Sequence, residues 1–151
     1  MNSILSLNIR GLGAHPKFLT LRDPFISSKS NIILIQKPMH SIAKTDDYFR
    51  RMFPTWYIVA TDATGKSSGL VVFWDPRWAK LKAFSCSVGI FMVGYIRGIP
   101  GRSHILNVYA PYKEREGFWD TMEVYGILNS PSLILAGDLN CTLGIEELWG
   151  Q

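Results

Sequence analysis

Residues 31–35, Asn-Ile-Ile-Leu-Ile, form a short apolar run rich in β-branched side chains and closed by Gln36-Lys37-Pro38. Side chains of that shape fit a pleated surface, and Pro38 cannot continue a central ladder, so the run reads as a strand. No polar residue alternates with the apolar ones, so the strand is expected to be covered on both faces. Such a strand confines the chain to layered architectures in which helices or a second sheet pack on either side.

The chain can build those layers. Its 151 residues, 47% hydrophobic, are enough for one domain with a sizeable core, taken as residues 1–151. That hydrophobic content excludes a disordered chain, and the 19% of charged residues leave an ordinary soluble surface. The net charge of +4 mildly favours a polyanionic partner, although no basic block stands out beyond Arg50-Arg51. Cys86 and Cys141 have neither metal-type spacing nor a disulfide framework. The N-terminus lacks the pattern of a signal peptide, and no apolar run approaches a membrane span. These features predict an intracellular protein, nuclear or cytoplasmic, with no membrane partner.

Along the chain, strands are expected over residues 4–9, 31–35, 56–61, 70–74, 80–85, 89–96, 104–109 and 133–136. Helical spacing covers residues 15–28, where Pro24 should kink or end the helix, and residues 41–52 with Ser41 as a cap. A third helix is expected over residues 113–129, with Phe118, Met122, Tyr125 and Leu128 as its apolar stripe. Helices flank a central run of strands, which suggests two sheets packed together within one α/β domain. Gly65-Lys66-Ser67 is not a phosphate-binding loop, because the glycine required upstream is Ala60; a hairpin turn fits better.

Function is most legible at Leu133-Ile-Leu-Ala-Gly-Asp-Leu-Asn140. An apolar strand exits at Gly137 into Asp138 and Asn140, and ligands in open α/β folds gather where strands end. A carboxylate there can take a proton from water, and an asparagine can donate to a phosphate oxygen. Gly137-Asp-Leu-Asn140 also reads as a plain turn, Asn8 as a turn asparagine and Tyr109 as a core tyrosine with a satisfied hydroxyl.

Further segments carry a resemblance: Ser6-Leu-Asn-Ile-Arg-Gly-Leu12, Ile32-Ile-Leu-Ile-Gln36, Ser68-Gly-Leu-Val-Val-Phe-Trp74, Asn107-Val-Tyr-Ala-Pro111 and Leu135-Ala-Gly-Asp-Leu-Asn140. Together and in this order, the chain resembles the N-terminal part of the endonuclease/exonuclease/phosphatase superfamily, the deoxyribonuclease-I-like fold. It is most similar there to the apurinic-type endonuclease domain of LINE-type non-LTR retrotransposons, particularly those of plants. The resemblance implies a four-layer α/β/β/α sandwich, C-terminally incomplete, from a family that hydrolyses DNA phosphodiester bonds with Mg²⁺. It implies that Asn8 helps hold the metal site, Tyr109 contacts the scissile phosphate, Asp138 orients or deprotonates the attacking water, and Asn140 binds phosphate.

Two departures qualify that picture. The family's second strand ends in Gln-Glu, with the glutamate as principal metal ligand; here the pair is Gln36-Lys37. Lysine offers no acceptor. About 4 Å from a divalent ion, at an effective dielectric near 20, it would oppose binding by roughly 8 kcal/mol. Lys37 could instead pair with Asp138, or bind a phosphate where the metal's charge would lie. The family's terminal Asp-His pair is also missing, and His15, His40 and His104 match no motif position. The expectation is a catalytically impaired domain. The alternatives are a non-catalytic nucleic-acid-binding or interaction remnant, associating through an exposed sheet edge, and an unstable fragment.

Overall fold

The computed structural model describes residues 3–9, 27–36, 42–61, 69–110 and 115–139. The expected helix over residues 15–28, the Gly65-Lys66-Ser67 segment, Lys37 and Asn140 lie wholly or largely outside them.

Among the described residues, eight strands form two four-stranded sheets. β1 (Ile4–Asn8), β2 (Ile32–Gln36), β3 (Tyr57–Thr61) and β4 (Leu70–Trp74) make sheet A in the order β1-β2-β4-β3. β5 (Ala79–Cys86), β6 (Gly89–Ile96), β7 (Ser103–Tyr109) and β8 (Leu133–Asp138) make sheet B in sequence order. Each sheet has one parallel pair at an edge, β1 with β2 and β7 with β8, and is otherwise antiparallel. Helix α1 (Ile42–Met52) packs outside sheet A, and α2 (Arg115–Val124) outside sheet B. The result is the expected α/β/β/α sandwich.

Every residue of β2 is buried, as its sequence requires. Ile32 and Leu34 face the inter-sheet core with Val72, Trp74, Ile90, Met92 and Ile105. Ile33 and Ile35 face outward into a cluster with Phe49 of α1, Val71 and Phe73. Phe73 stacks on Phe49 at 4.6 Å between ring centroids and meets Phe53 and Trp56 at 5.3 and 5.9 Å. The wet side of α1 carries the i,i+4 pairs Asp46–Arg50 (2.6 Å) and Asp47–Arg51 (3.0 Å). Both place arginine in the last turn, where the helix dipole favours a cation.

The third helix is shorter than its spacing predicts. It stops at Val124, and Gly126 turns the chain at φ 64° into a single 3₁₀ turn, Ile127–Asn129. Phe118 and Met122 are buried as expected, but Tyr125 and Leu128 are exposed, and Ile127 fills the core place instead. A glycine in the left-handed region ends a helix at no steric cost, which changes the face that later residues present.

Asp75 lies in the turn that carries the chain from sheet A to sheet B. It is buried, and its carboxylate accepts from the Arg77 backbone (3.0 Å) and guanidinium (2.7–3.1 Å). The Arg77 side-chain hydrogen bond holds the Asp75 carboxyl below the usual carboxylate range, against the opposing effect of burial. Because the folded pKa is depressed, its stabilising contribution is complete above the unfolded value and is lost as pH falls through the folded value. Replacing Arg77 by glutamine is therefore expected to shift acid unfolding to higher pH, read by circular dichroism during acid titration. None of the helices among the described residues is long and apolar enough to cross a membrane.

Candidate functional site

The parallel pairs bring four strand ends to one place. Asn8 ends β1 and pairs in register with Gln36, the last residue of β2. Tyr109 ends β7 and pairs in register with Asp138, the last residue of β8. The Asn8 side chain crosses between the sheets, its Nδ2 donating to Asp138 Oδ2 at 2.7 Å. Asn8, Tyr109 and Asp138, chosen from separate sequence segments, are thus assembled at one end of the sandwich. Tyr109 is half-buried and also packs against the inter-sheet core.

Gly137 is not the strand exit that its sequence suggests. β8 continues through it to Asp138, and Ala110 N donates to Asp138 O at 2.7 Å beyond the ladder. Gly137 holds φ 125°, and a Cβ there would lie 2.0 Å from Val108 O. The glycine serves a close approach of β8 to β7, which sets Asp138 level with Tyr109.

Beneath these residues lies a polar link that the sequence did not single out. Gln36 and Asn107 are buried, and Gln36 Nε2 donates to Asn107 Oδ1 at 2.7 Å and to Ser6 Oγ at 3.2 Å. Asn107 Nδ2 donates to the carbonyls of Ile35 (3.2 Å) and Val71 (3.1 Å), so one side chain of sheet B is bonded to two strands of sheet A. In a low-dielectric interior such a network fixes geometry, because every broken bond leaves a buried polar group unsatisfied. It runs from Gln36, level with Asn8, to Asn107, two residues before Tyr109, and ties the sheets where Asn8 meets Asp138. The available signal was an asparagine at an inward-facing position of the apolar strand His104-Ile-Leu-Asn-Val-Tyr109.

No family model matches the sequence, and no curated protein is significantly similar to it. Solved structures do match. The human Nocturnin catalytic domain aligns with a TM-score of 0.70 at 10% identity, covering 91% of this chain and 64% of its own. D. rerio TDP2, complexed with single strand DNA product, aligns at 0.67 and 12% identity, covering 93% and 61%. The endonuclease domain of TRAS1, a telomere-specific non-LTR retrotransposon, aligns at 0.65 and 14% identity, also covering 93% and 61%. This chain has the endonuclease/exonuclease/phosphatase fold. It spans a little under two thirds of the length of these members of the endonuclease/exonuclease/phosphatase superfamily.

The metal implied by the endonuclease/exonuclease/phosphatase fold fits poorly with the donors present. Among the described residues no group of three or more histidine, cysteine, aspartate or glutamate side chains converges. Among the described strand-end residues the one carboxylate is Asp138, already accepting from Asn8, and in the sequence the residue after Gln36 is a lysine. A hard divalent cation is held by oxygen ligands, mainly carboxylates and waters, and a neighbouring ammonium group opposes it.

Proposed function

We propose that this chain is a retroelement-derived endonuclease/exonuclease/phosphatase-like domain whose strand-end site contacts the phosphate backbone of DNA and whose hydrolytic chemistry is impaired. The observation that carries the reading is the 2.7 Å hydrogen bond from Asn8 to Asp138, which joins two sheets at the ends of their parallel pairs. In this reading Tyr109 and Asn140 contact phosphate oxygens, and Asp138 is the group that would orient or deprotonate water. Lys37 takes the place of a metal-ligating glutamate and supplies a positive charge to the phosphate instead. Nuclease and phosphatase names among the structural neighbours, one a retrotransposon endonuclease and one bound to a DNA product, support the substrate class. A basic sequence pI near 9.2 supports it weakly.

The donor set supports impairment: among the described strand-end residues Asp138 is the one carboxylate, and a hard divalent ion is held mainly by several oxygen ligands. The expected result is no Mg²⁺-dependent nicking of plasmid DNA by the monomeric fraction above the level of Asp138→Ala. DNA binding is expected to weaken steeply with salt and to fall further in Lys37→Glu. Nicking that requires both Mg²⁺ and Asp138 would overturn the impairment and establish an active nuclease. Binding that ignores salt and survives Lys37→Glu unchanged would remove the phosphate role of Lys37.

A non-catalytic interaction module is the second reading. It is favoured by β1 and β8, which are the outermost strands of their sheets among the described residues. Edge strands offer backbone donors and acceptors to another chain.

A further inference from the structure

None of the chain's 12 acidic residues falls within residues 79–109, which contain Lys80, Lys82, Arg97 and Arg102. The overall charge conceals this, because the acids are concentrated elsewhere. Those residues are strands β5 to β7 and their turns, so the absence of acids becomes a surface property.

The outward positions of the β5–β6 hairpin carry two cations and three aromatic rings. Lys80, Lys82 and Phe84 project from β5, and register sets them opposite Tyr95, Val93 and Phe91 of β6. Phe84 and Tyr95 are 50% and 55% exposed, so half of each large apolar surface faces water. The rings are ordered: Phe84 meets Phe91 edge-on at 5.6 Å, and Phe91 stacks with the His104 imidazole at 5.9 Å. Helix α2 packs on Leu106 and Val108 further across the sheet, and its acids Glu116, Asp120 and Glu123 are exposed to solvent. No described helix packs on this half of the outer face, where Lys80, Lys82, Phe84 and Tyr95 are exposed.

We infer that the outer face of the β5–β6 hairpin docks single-stranded nucleic acid, with bases stacked on Phe84 and Tyr95 and phosphates met by Lys80 and Lys82. Exposed rings on a sheet take bases by stacking, which requires that the bases be unpaired; a duplex hides those faces. Alternate residues on one face of a strand lie about 6.6 Å apart, so cation and ring can serve successive parts of one extended strand. Charge argues against a second copy as occupant, because a two-fold contact would set the same lysine-bearing patch against itself. The surface is separate from the strand-end site: β5 and β8 are three strand spacings apart, roughly 14 Å. The chain could therefore bind here and cut nothing.

The test is fluorescence anisotropy of the 151-residue chain with labelled oligo-dT and oligo-U of about 12 nucleotides. Both oligomers share the recognised chemistry, so binding of either supports the inference and binding of neither overturns it. Lys80→Glu/Lys82→Glu is expected to weaken binding at least about tenfold and to flatten the logarithmic salt dependence by roughly 1.4, two phosphates' worth. Phe84→Ala/Tyr95→Ala should weaken it roughly five- to a hundredfold per stacked base, with the salt slope unchanged. Arg50→Glu/Arg51→Glu, the same charge change on the opposite outer layer, should have little effect. Equal losses from both charge variants would mean net charge alone is felt, and would overturn the proposal. So would a dimeric native chain that Phe84→Ala/Tyr95→Ala converts to monomer. Thermal melts establish that each variant is folded, and Lys80→Gln/Lys82→Gln, expected to lose less than the glutamate pair, replaces that pair if it does not fold.

Discussion

Gly137→Ala is expected to destabilise the protein by more than about 4 kcal/mol, lowering the melting temperature by roughly 8–16 °C or preventing folding. Two costs combine. The backbone sits at φ 125°, outside the range that side chains with a Cβ adopt, and the new Cβ would lie 2.0 Å from Val108 O. The obstacle is backbone, so relief requires β8 to move away from β7, carrying Asp138 away from Tyr109. Gly117→Ala is the matched control. Gly117 lies in α2 with nothing within 4 Å of its Cβ position, so alanine there is expected to stabilise by about 0.5–1 kcal/mol through helix propensity. Urea unfolding of the two variants should give opposite signs.

Asn107→Leu is expected to cost about 3 kcal/mol despite the similar side-chain volume, because it leaves Gln36 Nε2 and the carbonyls of Ile35 and Val71 each short of a buried partner. The midpoint should fall by roughly 6–12 °C. Gln36→Leu removes the facing amide, so the double variant should lose less than the two single losses added. Equal, additive losses would show that the two side chains do not act as a unit. Because the link lies directly behind the strand ends, the phosphate contact proposed for Tyr109 should weaken with it even where the variant remains folded.

The layered fold was legible because its strands announce themselves. Ile32-Ile-Leu-Ile35 has no polar face, and it became a strand covered on both sides. Asn8, Tyr109 and Asp138 were legible because each follows an apolar run, and strand ends in an α/β fold converge. What escaped was decided by three-dimensional context. Gly137 looked like an exit, since nothing local reveals that a neighbouring strand will press against it. Tyr125 and Leu128 obeyed helical spacing, but Gly126 ended the helix before they could use it. Asn107 was visible only as part of a resembling segment; its role depends on carbonyls more than thirty residues away in sequence. The acid-free window escaped because its cations, Lys80, Lys82, Arg97 and Arg102, are spaced singly and form no basic block.

The division of the chain between the sheets has a consequence for synthesis. Sheet A is made from residues before the Asp75 turn, and sheet B from those after it. As the chain emerges from the ribosome, the first half can pair its strands and seat α1 while the inward faces of Ile32, Leu34, Val72 and Trp74 have nothing to cover them. Asn8 must wait for a partner 130 residues later. For that interval the nascent protein is half a sandwich with an exposed apolar wall, and its greatest exposure to chaperones and to aggregation precedes the first moment at which its site can exist.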